Sequence, residues 1–160
     1  MSESRSQPTY DASESSEGNE VVLSLKTVAK MLPLVQRIAQ DIVTSHREIG
    51  RLNPEADQLD RERHSLTWPQ RQRRYELKEE LAKFEKSLEG ARAELRELGL
   101  VVLVDFEGRI GFPTLVNNRR AYFSWHLGED GLHHWRFADE DVDRDIPPSW
   151  LKELTVATKS

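Results

Sequence analysis

Leu25, Val28, Leu32, Val35, Ala39, Ile42, His46 and Ile49 recur at steps that alternate three and four. That rhythm is a heptad seam, narrower than the stripe of an ordinary surface helix. Met31, Leu34 and Ile38 widen it near the start, so that end is expected to pack against more than one element. Ser24 suits the N-cap, and Leu23 before it can meet Val28 as a hydrophobic staple. Pro33 falls inside the pattern and frees the carbonyl of Ala29, which predicts a kink. His46, polar at a seam position, is read as a residue that sets register.

A second seam runs Leu77, Leu81, Phe84, Leu88, Ala91, Leu95 and Leu98, with Gly99 just past its end. The two seams predict an antiparallel helical hairpin with Leu25 near Leu98 and Ile49 near Leu77. Between them, Asn53-Pro54-Glu55 reads as an N-cap, a first-turn proline and a dipole-favoured acid. Residues 54–65 are therefore a short helix or a bent continuation of the first. Thr67-Trp68-Pro69 restarts a helix in the same way.

After Gly99 the period changes to that of strands. Leu100 to Val104 is apolar and β-branched, and Glu107-Gly108 supplies a turn. Ile110-Gly111-Phe112 is a second short strand, expected to stop at Pro113. Asn117-Asn118 turns the chain into an alternating strand from Arg119 to His126. A loop from Leu127 to Gly131 precedes a fourth strand, Leu132 to Phe137. The acidic run Asp139 to Asp145 then leads to Pro147-Pro148 and a short amphipathic helix using Trp150, Leu151 and Leu154. The expected class is α+β: a long coiled-coil-like hairpin, a small antiparallel β-meander and a short C-terminal helix. The expected divisions are a Ser/Glu-rich tail over 1–21, read as disordered, a hairpin over 22–99, a sheet head over 100–138, and an acidic linker with helix over 139–160.

Composition narrows the chemistry. The 160 residues contain no cysteine, which removes disulfides, thiolate zinc sites and cysteine nucleophiles together. A formal net charge of −5 argues against bulk nucleic-acid binding. No apolar run approaches the ~18 residues of a membrane span, and no signal pattern opens the chain, so the cytoplasm is the expected compartment. No phosphate loop, dinucleotide glycine pattern or zinc-protease motif occurs, so no cofactor is expected. Ser124 and His126 lie two residues apart with no acidic orienter evident, which gives catalysis little support.

The chain resembles an uncharacterised bacterial family, domain of unknown function 2203. The residues that carry this are Leu23-Ser24, Met31-Leu32-Pro33-Leu34-Val35, Leu98-Gly99-Leu100-Val101, Gly111-Phe112-Pro113, Tyr122-Phe123-Ser124-Trp125, Leu127-Gly128-Glu129 and Trp135. The resemblance implies a helical hairpin plus a small sheet, and it supplies no activity, cofactor or catalytic residue. It also implies departures: members carry Cys where Ser124 stands, His where Arg136 stands, and an Ala-Asn pair where Val28-Ala29 stands. Any Cys/His metal or redox chemistry of the family is therefore absent from this chain.

Three constellations are candidates for function. Alternation places Ala121, Phe123, Trp125, Trp135 and Phe137 on one sheet face, against Arg120, Tyr122, Ser124, His126, His134 and Arg136 on the other. If Trp125 pairs with Trp135, His126 opposes His134 and Ser124 opposes Arg136. His126, His134 and Glu129 then form a candidate metal site, and Arg120, Tyr122, Ser124 and Arg136 a candidate site for a small anion or ligand. The plainer reading is a solvated sheet face. The second constellation is the hairpin tip, where Arg61, Arg63, His64, Arg71, Arg73 and Arg74 surround Trp68. It reads either as an interaction surface, whose basic side chains and aromatic can hold phosphates or stack on a base, or as a solvated turn with Trp68 folded back as a staple and the arginines paired at helical spacing to Asp60, Glu62, Glu76, Glu79 and Glu80. The third is charge asymmetry, a basic tip against an acidic head-side loop, which favours docking between oppositely charged partners. The function expected from all this is a non-enzymatic protein–protein interaction or scaffolding module. A homodimer is one way to cover the exposed flanks of the hairpin.

Overall fold

The computed structural model describes residues 21–152. The Ser/Glu-rich tail, apart from Val21, and Leu154 lie outside the described residues. Two long helices, α1 (Leu25–Arg61) and α2 (Trp68–Glu97), precede five strands: β1 (Val101–Val104), β2 (Arg109–Val116), β3 (Arg119–His126), β4 (His134–Phe137) and β5 (Arg144–Asp145). The strands form one antiparallel sheet in chain order, and a last helix begins at residue 148. The fold is α+β. Among the described residues no helix is long and apolar enough to cross a membrane.

Ser24 caps α1 by accepting the Thr27 amide at 3.2 Å. The helix then runs 37 residues through both Pro33 and Pro54, so the 54–65 segment continues α1 as far as Arg61. Over its outer half the buried seam is Ile38, Ile42, Ser45, Leu52, Ala56 and Leu59, with Ile49 partly buried in the same rhythm. His46 is exposed and Ser45 is 4% exposed, so the expected seam is corrected by one residue there. The physical reason is Ala39. It is fully buried and turns toward the β1–β2 turn, where it lies 3.5 Å from the position a Gly108 side chain would take. α1 therefore has one face for the sheet and another for α2, and the heptad changes phase between them. Ile49 joins the sheet-side core, whereas Leu77 clusters with Leu52, Ala56, Leu59 and Leu66 at the tip.

Thr67 and Gln70 make a reciprocal capping box at the start of α2. The expected seam is buried or half-buried along its whole length, from Leu77 to Leu98. Gly99, at φ +83°, reverses the chain in the left-handed region, and a side chain there would meet Val21 at 2.5 Å.

Asn117 and Asn118, at φ 51° and 65°, form the two-residue turn that joins β2 to β3 and fix Val116 opposite Arg119. Strand β2 does not stop at Pro113 but continues to Val116. The Pro113 carbonyl accepts the Leu23 amide at 2.8 Å, so the nitrogen of Pro113 also points away from β3. The missing N–H therefore breaks no bond of the β2–β3 ladder. The fourth strand starts at His134 rather than Leu132, and the acidic segment ends in β5.

Ile110, Phe112, Ala121, Phe123, Trp125, Trp135 and Phe137 fill the inner sheet face and share one core with Val28, Val35, Ile38, Ala39, Ile42, Leu88, Ala91 and Leu95. Side chains as deeply buried as Trp125 or Phe112 each contribute about 1.5–3 kcal/mol over their exposed state. Trp150 closes the end of this core, edge-on to Phe123 at 6.4 Å and tilted on Trp135 at 5.5 Å.

Candidate functional site

The expected division of the sheet into two faces holds, but the β3–β4 register differs. Trp135 pairs with Phe123, Arg136 with Tyr122 and His134 with Ser124. Alternation fixes register only modulo two, so a shift of two residues preserves both faces and changes every partner. The 127–133 loop settles the choice. Trp125 stays opposite Ile110, and its ring N–H donates to the Glu129 carbonyl at 3.3 Å.

On the outer face the new register gathers a charged cluster. The Asp143 carboxylate takes Arg136 Nε on Oδ1 at 2.7 Å, with Arg109 Nη1 at 2.8 Å and the Ser124 hydroxyl at 3.1 Å on Oδ2. Ser124 also accepts from Arg109 at 2.9 Å, and Arg109 Nε donates to Glu107 at 2.9 Å. Ser124 is fully buried, and the side chains of Arg109, Arg136 and Asp143 are 16%, 13% and 20% exposed. Two guanidiniums and a hydroxyl aimed at one carboxylate are a donor set of the kind that recognises oxyanions. Of the four residues expected to bind a ligand, Ser124 and Arg136 belong here. Arg120 and Tyr122 instead line a cavity of about 340 Å³ with Val21, Gly99, Pro113 and Thr114. Sequence reasoning missed Arg109, Glu107 and Asp143. Arg109 carries a readable signal, because it starts a strand in phase with the outer face, whereas Asp143 sits in an acidic run with no period.

The three residues expected to hold a metal are neighbours. The His126 amide donates to Glu129 Oε1 at 2.9 Å, and His126 Nδ1 faces the Leu127 carbonyl at 2.9 Å. That carbonyl can only accept, so Nδ1 is the donor there, and Nε2 lies 3.9 Å from Glu129. His134 Nδ1 lies 3.3 Å from Glu129 Oε2, and it is buried without a hydrogen bond. Among the described residues no group of three or more His, Asp or Glu side chains is arranged to hold a metal ion.

At the hairpin tip, Arg73 makes a two-pronged bridge to Glu55 at 3.0 and 3.1 Å, and Arg74 reaches Asp60 at 2.6 Å. These bridges join α1 to α2. The hydrogen bonds from Arg73 and Arg74 hold the carboxyls of Glu55 and Asp60 below their ordinary range. Arg61 donates to the Gln58 side chain, Arg63 to the Asp60 carbonyl and Arg71 to the Leu66 carbonyl. Trp68 is not folded back: it is 67% exposed, and Leu66 fills the buried place expected of it. Tyr75, two turns further along the same face, is 61% exposed.

No curated protein and no solved structure matches the chain. The family described as "Uncharacterized conserved protein (DUF2203)" matches residues 22–144, and the chain belongs to that family.

Proposed function

We propose that the chain is a cytoplasmic, non-enzymatic interaction module that docks through the start of α2. Its partner would be a protein presenting acidic side chains around an apolar seat. The observation that carries this reading is the exposed pair Trp68 and Tyr75, with Arg71 between them on the same helix face. Trp, Tyr and Arg are the residues that concentrate binding energy in protein interfaces, and two aromatics on one helix face leave most of their surface exposed by the fold. Arg61 and Arg71 hydrogen-bond an amide and a carbonyl, so their charge remains to attract acids, whereas Arg63 already acts on the Asp60 carboxylate. Arg73 and Arg74, by contrast, are already neutralised by Glu55 and Asp60. That weakens the tip as a tract for nucleic-acid phosphates and favours a protein partner.

The test is affinity capture from native extract with wild type and with a Trp68→Ala/Tyr75→Ala variant. The variant is expected to lose a defined partner while its circular dichroism and melting temperature stay unchanged. Retention of every captured protein by the folded variant would overturn the reading. If the captured protein is this same chain, sedimentation will show the oligomer, and the partner is then a second copy. A second reading, small-ligand binding on the outer face of the sheet, rests on the donor set around Asp143.

A further inference from the structure

Asp143 reaches the outer face from an irregular segment, residues 138–143, that joins β4 to the two residues of β5. Its start is tied by the Ala138 amide to the Arg120 carbonyl at 2.9 Å and by the Glu140 amide to the Phe137 carbonyl at 3.0 Å, and the rest is held mainly through side chains. Val142 is 65% exposed, so no apolar side chain anchors it next to Asp143. Its other ion pairs, Asp139 with Arg119 at 3.0 Å and Glu140 with Arg144 at 2.9 Å and Arg119 at 3.9 Å, are open to solvent and screened by salt. Among the described residues, the pairs of the Asp143 carboxylate are the segment's ion pairs that are largely withdrawn from water.

The strands that carry the groups beneath it are set by the sheet rather than by Asp143, and Arg109 and Ser124 also bond each other, whereas the Arg136 guanidinium takes its hydrogen bond from Asp143 itself. Ser124 is held in β3 opposite His134, and Arg136 in β4 opposite Tyr122. Arg109 opens β2, opposite His126, and its Nε is fixed by Glu107. With Asp143 withdrawn, two guanidiniums, one carboxylate and a buried hydroxyl would remain on a rigid sheet. That is an excess of positive charge facing outward, with donors directed at a single point. A tetrahedral dianion supplies more acceptor oxygens and more charge than the single carboxylate it would replace.

We infer that Arg109, Arg136 and Ser124 form an oxyanion-binding site whose resident occupant is the chain's own Asp143, and that phosphate enters by replacing that carboxylate and releasing segment 138–143. This gives the outer-face reading its ligand class and its gate, and it is independent of docking at the tip. The tethered carboxylate competes with every external anion, so affinity for phosphate is lowered by the fraction of time the site is closed.

The experiment titrates inorganic phosphate into the full chain at constant ionic strength, with chloride as the control, and follows binding by NMR and calorimetry. Asp143→Asn is expected to bind saturably and about tenfold or more tightly than wild type. The double variant Asp143→Asn/Arg136→Gln should lose that binding. In wild type, phosphate should speed amide exchange over residues 139–143. A small phosphate monoester forms the second arm. Tighter binding of the ester assigns the ligand to phosphorylated small molecules, and tighter binding of the free ion assigns it to inorganic phosphate. No binding by Asp143→Asn would overturn the oxyanion site and the outer-face reading together. Binding by Asp143→Asn with none by wild type would overturn the displacement alone. If Asp143→Asn fails to fold in chloride, folding regained in phosphate supports the site, and failure in both overturns it.

Discussion

Ser45 and His46 are adjacent, both polar, and opposite in their surroundings. Ser45 faces α2 at 4% exposure, while His46 faces solvent. Ser45→Arg should destabilise the fold by about 2 kcal/mol or more, because a charge would be forced against a packed seam. His46→Arg should stay within about 0.5 kcal/mol of wild type. Urea unfolding of the two variants decides the point, and equal effects would place the seam elsewhere. This was not legible in the chain, since a heptad extrapolated from Leu25 arrives at His46. The fully buried Ala39 shifts the phase, and alanine is too small to reveal by periodicity which neighbour it faces. The same limit applies to Asp143. An acid in an acidic run looks solvated, and only the folded sheet shows two guanidiniums waiting for it.

Among the elements, the hairpin was the most readable. Both seams, the caps at Ser24 and Thr67 and the stop at Gly99 are local features with local causes. Where the chain misled, the deciding interaction was non-local. Pro113 lies inside β2 because the arriving Leu23 amide binds its carbonyl on the side away from β3. The β3–β4 register rests on a loop whose length says nothing of its path. Acids were expected to pair with the tip arginines at helical spacing; Glu76 does so with Arg73 at 3.8 Å, but the shorter bridges span the two helices, Glu55 with Arg73 and Asp60 with Arg74.

Those cross-helix pairs carry a pH dependence. Both carboxyls have their folded-state pKa lowered by the arginine hydrogen bond, so the folded state binds fewer protons than the unfolded chain. Their stabilisation is present above the ordinary carboxylate range of about 4 and is lost as pH falls through the lower, folded values. Melting temperature should therefore fall less steeply below about pH 5 in Glu55→Gln/Asp60→Asn than in wild type. The groups are exposed, so the difference should be small and should shrink further at high salt. An identical pH profile for the two proteins would show that the pairs are not kept in solution.

Among the described residues the molecule has two apolar centres, joined by the long helices α1 and α2. One centre is large and shared between hairpin and sheet; the other is a small cluster at the tip around Leu52, Ala56, Leu59, Leu66 and Leu77. The formal net charge of −5 is unevenly used. Acids near the sheet are drawn onto Arg109, Arg119, Arg136 and Arg144, while Arg61 and Arg71 at the tip hydrogen-bond an amide and a carbonyl. Exposed aromatic area is placed at both ends, with Trp68 and Tyr75 on the tip and Phe106 on the β1–β2 turn of the head. At the tip, Trp68, Tyr75 and the charge of Arg71 share one helix face, which makes the tip the proposed docking end and Phe106 a built-in control. Site-specific photo-crosslinking tests this most directly, with a photoreactive phenylalanine analogue placed at position 75 or at position 106 in otherwise wild-type chain in native cells. The account predicts a discrete covalent adduct from position 75 and none from position 106. Adducts from position 106 alone, or no adduct from position 75, would contradict it.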